Sequence, residues 1–145
     1  MKQPQLEDLM LYQKYIRDKQ FDKVPNDVLA KLACGITVTT ECCPEGLIIE
    51  DRLGIVVAPA VLGMFVVRDW FAKFRDFFGG RSRSSQKVVS HAGRLALEQL
   101  QVEAYKLGAN AIIAIDLDYG QISGKGMSMH QVVANGTAVR CEKIT

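Results

Sequence analysis

The amino-acid sequence predicts an α+β fold in which a small antiparallel sheet packs on one long helix, with a shorter aromatic helix beside it. Three observations carry this reading. Residues 82–110 place small and apolar side chains at helical spacing, residues 36–58 and 111–140 are rich in β-branched residues, and glycines punctuate the joins between them. The chain has 145 residues, 48% hydrophobic and 23% charged. That suits one domain with an extension, and it leaves enough apolar surface to suggest self-association.

The first 35 residues differ in texture from the rest. "LEDLMLYQKYIRDKQ" sets Leu6, Leu9, Met10, Gln13 and Ile16 along one helical face. "VPNDVLAKLACG" offers Pro25 and Asn26 as start signals and Gly35 as a stop, predicting a second, short helix. Residues 1–35 are therefore read as a helical N-terminal extension, and residues 36–145 as the α/β domain. An amphipathic helix needs an apolar surface to cover, so the extension is expected to dock on an assembly of this chain or on another protein.

From Ile36 the pattern turns extended. "ITVTT" is a short strand, and residues 47–58, "LIIEDRLGIVVA", form a long one broken near Gly54. In "VVRDWFAKFRDFFGG", Val67, Trp70, Phe71, Phe74, Phe77 and Phe78 make a wide helical stripe that Gly79 and Gly80 terminate. The long helix follows. Its buried stripe is Val89, Gly93, Ala96, Leu100, Ala104 and Leu107, against a polar stripe of Lys87, His91, Arg94, Glu98, Gln101 and Tyr105, with Gly108 as cap. "AIIAIDLDY" and "MSMHQVVANGTAVR", joined by the glycine-rich "GQISGKG", read as a hairpin of two long strands.

Several functional classes fall away at once. The N-terminus carries acidic residues and no apolar signal segment, and the greasy run at 54–67 is interrupted by Pro59. It is too short for about 30 Å of hydrocarbon, so no membrane association is expected. Four cysteines without an export signal point to reduced thiols and a cytoplasmic setting. A net charge of +2 leaves no nucleic-acid footprint, and the aromatics near Arg68, Arg75 and Arg81 belong to a buried stripe. No Ser/His/Asp order and no activated cysteine context marks an enzyme, although an active site between subunits would escape this inspection.

"TVTT", "LGIVVAPAVLG", "VVRDWFAKFRDFFGGRS", "LGANAIIAIDLDY" and "NGTAV" stand in the order and spacing of the YbjQ-like family, labelled as heavy-metal-binding, and the chain resembles that family from about residue 36 to 140. The resemblance implies a small fold similar to a dodecin subunit, assembled as ring-shaped pentamers, or stacks of them, through added strands. It also marks departures. Residues 1–35 fall outside the family core, residues 40–46 carry unusual cysteines, Ser85 stands where tyrosine is common, and Gly120 where an acidic residue is common.

Three groups of residues are candidate sites. Asp116 and Asp118 lie two apart on a strand, so they share a face, and paired carboxylates suit a hard divalent metal ion. An ion pair across a subunit interface, or a solvated face, is the more ordinary explanation, since structural charge networks are common. His130 joins them or faces away according to strand register. In "GGRSRS", Gly79, Gly80, Arg81 and Ser82 resemble an anion cradle at a helix start, or else a helix stop, a cap and an interface arginine. Cys42 and Cys43 in "TTECCPEG" are thiol candidates, but adjacent residues of an extended segment point to opposite faces, and no C-x-x-C pair exists.

Overall fold

The computed structural model describes the backbone of residues 6–62, 81–124 and 127–143, and the side chains of 10–60, 89–121 and 131–142. The chain runs α1 (Leu6–Arg17), a 3-10 turn (Phe21–Lys23), α2 (Asn26–Ala33), β1 (Thr37–Val38), β2 (Leu47–Leu62), α3 (Arg81–Lys106), β3 (Ala111–Gly124) and β4 (Met127–Lys143). The aromatic helix predicted over 66–80 lies outside the described residues. Among those that are described, no helix is long and apolar enough to cross a membrane.

The sheet has the order β1-β3-β4-β2. It is mixed rather than purely antiparallel, because Thr37 and Val38 pair parallel to Ala111 and Ile112. The β3–β4 hairpin forms as expected, with Gly124 opposite Met127. β2 does not break at Gly54. It continues for 16 residues and absorbs irregularities between Ile49 and Asp51 and between Arg52 and Gly54. Gly54 takes φ 139°, a value that L side chains resist.

One face of the sheet packs on α3. Val56, Ala58, Ile112, Ile115, Val132, Ala134 and Ala138 share a buried cluster with Ala92, Ala96, Leu100 and Ala104 of the helix. The small residues at 92, 93, 96 and 104 let α3 lie close to the strands. Leu107, expected in the buried stripe, is instead 47% exposed past the helix end. That end is a Schellman motif: Ala109 N–H donates to Ala104 O and Gly108 N–H to Tyr105 O, with Gly108 at φ 81°.

The polar stripe expected on α3 is partly covered. Gln101 Nε2 donates to Ile36 O at 3.0 Å, and the Tyr105 ring meets Phe21 edge-on with centroids 6.3 Å apart. The cover is the N-terminal segment, whose Val24, Val28, Leu29 and Ala33 are buried in the same cluster as α3. Its α1 closes with a second Schellman pair, Gln20 N–H to Tyr15 O and Lys19 N–H to Ile16 O. Lys19, at φ 55°, sits where glycine is usual.

A bulge in β3 alters the expected alternation. Ile113 pairs with Thr137 and Asp116 with Asn135, so β3 holds one residue more than β4 in that interval. Ala114 takes φ 52° to allow it. Ile112 and Ile115 therefore point into the α3 cluster, while Ile113 joins Ala111, Val139 and Cys141 in a second cluster against Leu47 and Ile49. Ile113 therefore does not share a face with Ile115 and Leu117, as unbroken alternation along the strand would have it. Gly136 lies opposite the bulge. A Cβ there would stand 2.7 Å from Ile112 Cγ2 and 3.3 Å from Ile113 O, so the close approach demands glycine.

Candidate functional site

The sheet face turned away from α3 is where the sequence-predicted aspartates lie. Asp116 and Asp118 are both exposed on β3. Strand register sets Asp116 level with Asn135 of β4 and Val57 of β2, and Asp118 level with Val133 and Pro59. One row further, Ile113 aligns with Thr137 and Ile55. The result is a surface with two carboxylates at one border and an apolar strip at the other, where Ile55 is 79% and Val57 53% exposed. The only ion pair among the described side chains is Lys106 Nζ to Glu103 on α3, at 2.8 Å, so no described cation neutralises the aspartate pair.

Register decides the placement of His130. It pairs with Gln121, and Gly120 pairs with Gln131, because the hairpin turns after Gly124. That gives position 130 the parity of Val132 and Ala134, the α3 side, and not that of Asp116 and Asp118. No group of three or more His, Cys, Asp or Glu able to hold a metal occurs among the described residues. Among the described residues the aspartates therefore stand as a pair of carboxylates.

Cys42 and Cys43 lie in bends between β1 and β2, both exposed. Glu41 beside them is occupied locally, its N–H donating to Thr39 Oγ1 at 3.2 Å. This loop is tied to the bulge, since Ala114 N–H donates to Glu41 O and Ile115 N–H to Thr39 O. Cys34 Sγ donates to Lys31 O at the end of α2, and Cys141 is buried. The Asn110 side chain clamps Cys141, donating to its carbonyl at 2.7 Å and accepting from its N–H at 2.9 Å. Arg81 and Ser82 form the start of the α3 backbone; Gly79 and Gly80 lie outside the described residues.

A small cleft escaped the sequence reading. It encloses about 170 Å³ between α3 and the hairpin, lined by Val89, Tyr119, Gly120, Gln121, Gln131 and Val132. Tyr119 reaches over α3 because Gly93 has no side chain; a Cβ there would come within 3.0 Å of Tyr119 Oη. The only trace of this in the sequence is the glycine inside a helix stripe.

Residues 36–142 match the model of a family described as "Putative heavy-metal-binding". The chain belongs to this YbjQ-like family. Its members include UPF0145 proteins of Clostridium kluyveri, 44% identical over 105 residues covering 72% of this chain and 98% of the relative, and of Caulobacter vibrioides, 44% identical over 102 residues covering 70% and 96%. A crystal structure from Pediococcus pentosaceus, of a protein with unknown function in the DUF74 family, shares the fold with a TM-score of 0.53 at 17% identity. It covers 74% of this chain and 99% of that one. Residues 1–35 stand outside the family match, although the α2 part of them is built into the same core as α3.

Proposed function

We propose that this chain is the subunit of a homo-oligomeric cytoplasmic ring, five copies or a stack of such rings, with a binding or scaffolding role. The observation that carries the reading is the unclosed sheet. β2 is an edge strand of 16 residues, and it presents Ile55 and Val57 largely to solvent. On the other side, pairing with β1 stops at Ile112, and among the described residues no strand lies beside the distal half of β3 on that edge. Two free edges on opposite sides of one sheet fit a head-to-tail contact, and a closed ring removes both. Multi-angle light scattering of Ile55→Lys tests this reading: a charge on the apolar strip is expected to shrink the assembly. An unchanged mass would remove the strip from any interface.

A second reading, a divalent-metal protein, rests on the shared face of Asp116 and Asp118 and on the family's description. With two carboxylates per chain, further ligands would have to come from a neighbouring copy or from water. Metal content after purification without chelator, compared between wild type and Asp116→Asn, tests it. Equal content in the two would end this reading.

A further inference from the structure

We infer that the outer side of α3 is a helix-docking surface, and that this chain fills it with its own residues 21–36. Each helical residue advances about 100° around the axis, so Leu100 and Val102 lie about 200° apart. Yet Leu100 is 0% and Val102 2% exposed. A helix packed on a sheet alone buries one stripe; α3 is covered on two sides. The strands cover the first side. The second meets α2, the Phe21 ring and the Ile36 carbonyl.

The cover has the character of a ligand. All of it but Ile36 lies outside the family's span, yet Val24, Val28, Leu29 and Ala33, at 5, 5, 1 and 0% exposure, bury themselves in the α3 cluster. It is anchored by an edge-on aromatic pair and by the Gln101 bond to a backbone carbonyl. It is joined to β1 through Gly35, which has no heavy atom within 4 Å of where its Cβ would be. An apolar helix flank left bare is an association surface. The N-terminal segment therefore works as a cis occupant that closes the outer side of α3. A chain whose segment is undocked would associate through that side with a second copy. This inference is independent of the ring, because it compares a variant with the wild type, whatever the wild-type mass is.

The test uses the full-length chain carrying Leu29→Asp, with Val28→Asp as a second variant, since each places a charge within the contact. The far-ultraviolet spectrum is expected to keep its sheet signal. Anilinonaphthalene sulfonate fluorescence should rise several-fold, and the mass by light scattering should at least double. A synthetic peptide of residues 19–36 with the wild-type sequence should reverse both changes. Wild-type mass and dye binding in both variants would overturn the inference. So would loss of the sheet signal that the peptide does not restore, because the segment would then be an inseparable part of the fold rather than an occupant.

Discussion

Replacing Gly136 by alanine tests the bulge that sets the two faces of the sheet. The added methyl carbon would lie 2.7 Å from Ile112 Cγ2, 3.1 Å from Ile115 Cγ1 and 3.3 Å from Ile113 O. Ile112 is 0% exposed and has no room to move away. The Ile113 carbonyl belongs to the strand backbone where Ala114 already sits at φ 52°. Overpacking of a filled core costs about 1–3 kcal/mol, and a contact with backbone on one side and a buried isoleucine on the other belongs at the upper end, about 2–3 kcal/mol. For a chain near 150 residues this corresponds to a Tm lower by ~5–10 °C. The assay is thermal unfolding by circular dichroism at one fixed protein concentration, because association shifts apparent stability. Gly120→Ala is the control: no heavy atom lies within 4 Å of a Cβ there, and removing a strand glycine is worth about 0.5–1 kcal/mol in its favour. Equal Tm values for the two variants would refute the packing argument.

Three further expectations follow from single contacts. Asn110→Ala removes the side chain that bonds both the carbonyl and the N–H of Cys141; a loss of about 1–3 kcal/mol in urea titration is expected. Lys19→Gly relieves a left-handed residue at the end of α1 and should stabilise by about 0.5–1 kcal/mol after the added freedom of the unfolded chain is counted; a lower midpoint would contradict that account. Ellman's reagent should titrate the exposed Cys34, Cys42 and Cys43 quickly and reach the buried Cys141 only on denaturation, so four fast equivalents would place Cys141 wrongly.

Much of the fold was legible because the periods are clean. The spacing of Gly93, Ala96, Leu100 and Ala104 marks a helix laid on a sheet, and the runs either side of "GQISGKG" mark a hairpin. What sequence could not supply are the events that depend on a partner element. Gln101 and Tyr105 read as solvent-facing because nothing in α3 itself announces that the N-terminal segment covers them. The bulge at Ala114 is silent, since alanine is no signal for a positive φ, and it moved Ile113 to the second cluster. The aspartate pair was legible from its spacing of two. The parity of His130 was not, because it turned on where the hairpin reverses, a matter of a few residues within a glycine-rich stretch.

The central claim is that this subunit closes its sheet edges on copies of itself. Native mass spectrometry of the untagged, full-length protein, purified without chelator, tests it most directly. The account predicts a dominant species of five chains or a multiple of five, with subunits released when Ile55→Lys is introduced. A wild-type protein that stays monomeric at micromolar concentration would contradict it.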